Sequence, residues 1–276
     1  MDFDRRGFLT VSAFAPASAM PMGTRSAAAA SVSMPTPAAL GVEAVHFGVQ
    51  PNSAEDQTRA LQYAIDQAAN VRVPLVLRPG NYRAGGLRLK SGAQIMGIRG
   101  ATRLILSREG PLFESQGADH IGLTGLILEG PGKPANLRGL VHFTAGRGVR
   151  ILDCEFTGAA RHAIVLEGIE GEVRGNTITK SGDAALFSLD ARGLLVADNT
   201  VREAGNNGIL IWRSEAGDDG TRVVGNRIEE ITARDGGSGQ NGNGVNVFRA
   251  ANVTVADNRI RGVAFSAVRG NAASNM

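Results

Sequence analysis

The side chains that could carry chemistry are four aspartates, Asp183, Asp218, Asp219 and Asp235, each in or beside a Gly- or Asn-containing stretch that reads as a loop. Paired carboxylates are what glycosidic cleavage requires, one to protonate the leaving oxygen and one to activate water or attack the sugar. Trp212 and Phe248 each precede an arginine, Arg213 and Arg249, and align with Phe143 and Glu167 in neighbouring segments. Aromatic faces stack on sugar rings and guanidinium forks clamp carboxylates, so these six residues are the candidate substrate-binding set. A lyase or epimerase would instead need a base beside the sugar C5 and positive charge to hold a uronate. His162 and Asp183 sit just before their own strands, near the same edge. His142 falls on a position expected to point inward and reads as a core or wall residue, while His46 and His120 show no ligand spacing. No metal site and no cofactor follow from this inventory.

These residues need a scaffold, and the chain supplies one by repetition. Five segments end in a similar phrase: Asp153-Cys154-Glu155-Phe156, Gly175-Asn176-Thr177-Ile178, Asp198-Asn199-Thr200-Val201, Gly225-Asn226-Arg227-Ile228 and Asp257-Asn258-Arg259-Ile260. The first spacings match one three-sided β-coil, and the later ones match the same coil with insertions at 215–220 and 234–243. Alternating apolar residues, as in Ile209-Leu210-Ile211 and Val253-Thr254-Val255, disfavour a helical solenoid. Stacked coils lie about 4.8 Å apart, so Asn176, Asn199, Asn226 and Asn258 are expected to form an amide ladder. Ile178, Val201, Ile228 and Ile260 are expected to form an inward column beside it. Cys154 takes the asparagine's place in the first of these coils and reads as a buried thiol, and a lone cysteine allows no disulfide within the chain.

Upstream of the regular coils at 139–276, less regular ones are expected around Ile95, Leu104–Leu106 and Leu123–Leu128. Before them, Ser53-Ala54-Glu55-Asp56 reads as a helix start with Ser53 as N-cap. Ala60, Leu61, Ala64, Ile65 and Ala68 continue it as an amphipathic helix over about 53–69. Pro79-Gly80-Asn81-Tyr82 reads as a turn after the first strand. An open stack of sheets must be covered at its end, and this helix is the expected cover.

Composition sets the remaining limits. The 37 glycines and an aromatic fraction of only 5% suit slim strands and tight turns. The net charge of +3 is spread without a basic stripe, so nucleic acid is not implied. Residues 1–37 read as an export leader and linker: Arg5-Arg6-Gly7-Phe8-Leu9, a weakly apolar run, then small residues with Arg25. The leader is too short to span a bilayer permanently. The paired arginines resemble the twin-arginine export motif, although Asp4 and Thr10 depart from its usual residues. That implies passage through the twin-arginine machinery and a periplasmic or secreted location.

The run from His46-Phe47-Gly48 through Asp56 to Tyr82 resembles the start of pectate-lyase-like proteins, and the whole mature chain resembles uncharacterised twin-arginine-translocated repeat proteins. The resemblance implies an all-β, right-handed, single-stranded parallel β-helix of three sheets, with a short N-terminal capping α-helix, over residues 38–276. Because Phe265 to Gly270 begins another coil, the chain is expected to be truncated at its C-terminus. Gly217-Asp218-Asp219 resembles the paired-aspartate motif of polygalacturonases, but the Asn-Thr-Asp, Gly-His-Gly and Arg-x-Lys partners are missing. The signatures of mannuronan epimerases and pectate lyases are absent too. Two functions stay open: an enzyme acting on an acidic polysaccharide as lyase, hydrolase or epimerase, or a non-catalytic glycan-binding or structural solenoid of the cell envelope.

Overall fold

The computed structural model describes residues 40–132 and 138–276, so Arg5, Arg6 and the rest of the expected leader lie outside the described residues. The chain winds as a parallel β-solenoid of three sheets. Sheet I runs from Val42–Glu43 to Thr254–Ala256, sheet II from Gly80–Ala84 to Arg259–Val263, and sheet III from Leu87–Arg88 to Val268–Asn271. Each coil contributes one strand to sheet I, then to sheet II, then to sheet III, and every strand pair is parallel and one coil apart.

The corner between sheets I and II is the most regular part of the molecule. Asn199 Oδ1 accepts the backbone N–H of Asn176 at 3.0 Å and its side-chain amide at 2.9 Å. Asn226 does the same for Asn199, and Asn258 for Asn226. Each amide also donates to a carbonyl of the preceding coil, namely Ile151, Val173, Val196 and Val223. Cys154 ends the ladder: its backbone N–H donates to Asn176 Oδ1, and burial pushes its thiol up to about 12. The residue before each of these positions turns the corner with positive φ, from 52° at Asp153 to 68° at Gly175. Asp and Gly alternate there for a steric reason. A Cβ on Gly175 would lie 2.5 Å from Asp153 Oδ1, and one on Gly225 would lie 2.6 Å from Asp198 Oδ1.

Inside, Phe156, Ile178, Val201, Ile228 and Ile260 stand in one column. Burying such side chains contributes roughly 1.5–3 kcal/mol each. Tyr82, Leu104 and Leu128 extend the column downward in unbroken register. The early coils are therefore as regular in pairing as the later ones, and only their corners lack the asparagine.

The capping helix α1 spans Thr58–Asn70 and buries Leu61, Ala64, Ile65, Ala68 and Ala69 on one face. It starts five residues later than expected. Residues 53–57 are held flat by the first coil: Gln57 N donates to Arg83 O at 2.7 Å, and Asp56 bridges Arg83 and pairs with Arg108. Ser53 closes only a local turn onto Glu55 N. The expected turn at 79–82 ends at Gly80, where the strand Gly80–Ala84 begins; Asn81 and Tyr82 are already in it, and Tyr82 points into the core.

Candidate functional site

Sheet III carries the candidate residues, and its register decides which of them face out. Phe143 pairs with Leu166, which pairs with Ser188, then Ile211, then Val247. All are buried, so this column points inward. Phe143 therefore does not belong to a surface platform; it is a core residue. The outward column is Thr144, Glu167, Leu189, Trp212 and Phe248. Aligning Leu140 with Ile164 slips the strand by one residue, which exchanges its faces. The same slip misplaces His142, which the structure puts outside, in register with Glu114 on one neighbour and Val165 on the other.

The outer face changes character along the stack. In its early coils it is charged and forms an open cleft of about 670 Å3 lined by Arg88, Glu114, Gln116, His142 and Thr144 among others. Arg88 Nε donates to Glu114 at 2.8 Å. His142 Nε2 lies 3.1 Å from Glu167 Oε1, which also pairs with Arg138.

In the later coils the face becomes aromatic. His162, Phe187, Trp212 and Phe248 form an oblique row with ring centroids 5.3, 5.4 and 5.5 Å apart. The Arg249 guanidinium lies over Phe248 at 4.9 Å and donates to Ser214 O, while Arg213 folds back on the carbonyls of Glu215 and Ala191. Leu210 and Asn246 face outward by register yet are buried, because the insertion at 234–243 folds beside them and Gln240 O accepts the Asn246 amide at 3.1 Å. The insertion at 215–220 begins within a bulge of the long strand Asn207–Asp218, between Trp212 and Gly217, pinned where Ser214 donates to Asp190.

The four candidate aspartates separate into two pairs. Asp183 and Asp235 meet at the edge where the strands of sheet III begin, and both accept the Asn206 amide, at 3.1 and 2.8 Å. Their oxygens are thus no further apart than those two bonds laid end to end. Asp183 also pairs with Arg161 and lies 3.7 Å from His162 Nε2. Burial lowers the His162 pKa against the pull of Asp183, and its Nδ1 accepts the Ala184 N–H, which leaves the proton on Nε2. Asp218 and Asp219 lie at the opposite edge, roughly 20 Å away along the strand direction. Asp218 accepts the Asn252 amide at 2.7 Å, whereas Asp219 is buried, with its pKa raised by desolvation.

Residues 135–276 match the family described as the right handed beta helix region. The chain belongs to that family. Among solved structures, this β-helix superposes on the catalytic unit of a GH87 α-1,3-glucanase from Streptomyces thermodiastaticus with a TM-score of 0.67 and 21% identity, covering 88% of this chain and 43% of that one. It superposes on the N-terminal fragment of bacteriophage phi29 gene product 12 with a TM-score of 0.66 and 14% identity, over 84% of this chain and 43% of that one. For the A-module of a mannuronan C-5 epimerase from Azotobacter vinelandii the values are 0.51 and 17%, over 84% and 79%. The β-helix thus spans less than half the length of the first two. No curated protein sequence matches it significantly. Among the described residues, no helix is long and apolar enough to cross a membrane.

Glu114, His142, Phe187 and Asn206 are parts of the β-helix's outer face that sequence reasoning passed over. The alternation Val141-His142-Phe143-Thr144 carried the signal for His142, since it places both polar residues on one side. Ala185-Leu186-Phe187-Ser188 carried none, because apolar residues fall on both of its faces.

Proposed function

We propose that this β-helix is an exported, carbohydrate-active protein that lays a glycan along the outer face of sheet III. The observation that carries the reading is the continuity of that face: the row Phe187, Trp212, Phe248 offers aromatic rings and leads into a cleft lined by Glu114, His142 and Arg88. The α-1,3-glucanase and the mannuronan epimerase, by their names, act on polysaccharides and support this reading by likeness of fold. Trp212, Phe248 and Arg249 hold the sugar, and Glu167 closes the row toward the cleft. Asp183 and Asp235 are the carboxylates close enough to act together. Asp218 and Asp219 stand too far from them to join the same reaction. The leader at 1–37, with Arg5 and Arg6, directs the folded protein through the twin-arginine machinery to the periplasm or beyond.

A second reading, a non-catalytic glycan-binding solenoid of the envelope, is favoured by one observation. Glu167, Asp183 and Asp235 already have partners in Arg138, Arg161 and Asn206. A glycan array with the mature chain, followed by product analysis on every hit, decides between the two. Wild type is expected to bind a polysaccharide and Trp212→Ala to lose it. Turnover that disappears in Asp183→Asn while binding persists supports the enzyme. Binding without products supports the solenoid, and unchanged retention by Trp212→Ala removes the proposed face.

A further inference from the structure

The geometry points to a cationic subsite built on the capping helix: α1 extends the glycan groove past the first strand of sheet III and receives the acidic residues of a uronate-containing chain. This inference rests on the glycan-binding reading above and specifies its substrate class.

The helix is not merely laid over the open end. The Gln62 amide donates to Arg88 O at 2.9 Å and accepts Arg88 N at 2.8 Å, the two bonds that a neighbouring strand would make. Thr58 Oγ1 accepts the Gly85 N–H at 3.1 Å, and Lys90 pairs with Asp66 at 3.1 Å. The helix is thereby fixed as one more rung of sheet III, and its exposed stripe continues that sheet's outer face.

A second cleft of about 670 Å3 lies along this stripe and shares Arg88 and Leu89 with the cleft at Glu114 and His142. The two form one groove. The walls of the helix end carry Arg59, Arg88, Lys90 and Arg108; Asp66 is in the same lining, and Glu114 and Asp56 meet Arg88 and Arg108 from its rim, which leaves one cation in excess. Arg88, Lys90 and Arg108 are paired on one side only, and their side chains stay 82, 55 and 55% exposed, so further N–H groups face the groove. Among the described residues Arg59 makes no ion pair. Tyr63, 43% exposed and braced edge-on by Phe47, supplies a ring beside these cations. Guanidinium and ammonium groups around a sugar-sized platform bond carboxylated sugars more strongly than the hydroxyls of neutral ones.

The test is titration calorimetry of the full chain with oligomannuronates, a tetrasaccharide and a decasaccharide, and with α-1,3-glucan oligomers of the same lengths. Wild type is expected to bind the decasaccharide more tightly than the tetrasaccharide, with an affinity that falls as salt rises. The double variant Arg59→Gln, Lys90→Gln should lose about tenfold for the decasaccharide and stay within about twofold for the tetrasaccharide. Lys90→Gln removes a contact to the helix, so Arg59→Gln alone, with an unchanged unfolding midpoint, must move the decasaccharide affinity in the same direction. Equal decasaccharide affinity in variant and wild type overturns the subsite, as does an equal loss for the neutral oligomers. Wild type that binds glucan oligomers but no mannuronate overturns this inference and leaves the glycan reading standing. Binding of neither overturns both.

Discussion

The asparagine corner between sheets I and II and the outer face of sheet III belong to the same coils but are built under opposite rules. At the asparagine corner each coil repeats its neighbour: Asn176, Asn199 and Asn226 are buried, and each hands its amide to the next at 2.9 Å. On the outer face no position repeats. Gln116, Thr144, Glu167, Leu189, Trp212 and Phe248 follow one another in a single column. The difference teaches where selection for folding stops. An identical rung satisfies its neighbour's backbone only if it stays identical, while an outward side chain owes nothing to the rung below.

Substitutions on the two sides should therefore separate stability from binding. The largest expected effect is Phe143→Ala, which leaves a cavity in the core and should cost about 4 kcal/mol in urea unfolding without changing glycan retention. A small loss of stability with lost binding would return Phe143 to the surface. Asn199→Ala comes next, at about 3 kcal/mol, because it strips partners from the Asn176 N–H, the Asn176 amide and the Val173 carbonyl. A loss near zero would mean that the ladder is ornamental.

Two carboxylates should answer pH in opposite senses. Burial raises the Asp219 pKa, so its charge weakens the fold above that value and the cost vanishes on acidification. Asp219→Asn should therefore raise the unfolding midpoint at neutral pH and leave it unchanged in acid. Glu229 lies on the outer face of sheet II, and the Arg261 hydrogen bond, joined by Arg227 and opposed by desolvation, lowers its pKa to about 2. Its support is present above the ordinary carboxylate value and is lost as pH falls toward about 2. Glu229→Gln should lower the unfolding midpoint at neutral pH and converge with wild type in strong acid; a difference that persists in acid removes the charge explanation. The smallest effect on stability is expected for Phe248→Ala, under about 1 kcal/mol, since the ring rests on Trp212 and Arg249 outside the core. Its effect should appear in glycan affinity instead, and retention equal to wild type would shorten the platform to Phe187 and Trp212.

The sequence was most legible where it repeats. The phrase around Asn176, Asn199, Asn226 and Asn258 predicts the coil length and the ladder, and one residue later in each coil the strand of sheet II begins. Legibility failed where both faces of a strand are apolar or where a backbone partner overrides a local signal. Phe143 and His142 exchange faces because a one-residue shift costs nothing in a string such as Gly139-Leu140-Val141. Ser53 does not cap the helix because Arg83 already holds Asp56 and Gln57. The meeting of Asp183 with Asp235 was out of reach for another reason. It depends on an eleven-residue corner, 232–242, folding back to Asn206, and no local pattern announces that return.

The Gln62–Arg88 contact has a wider consequence. In an aqueous compartment, a bare first strand of sheet III would be a growth point for other chains. A side-chain amide that imitates a strand satisfies those groups but offers no continuing backbone on its far side. At sheet III the stack therefore ends in a surface that can receive a coil from above and offers no strand edge below.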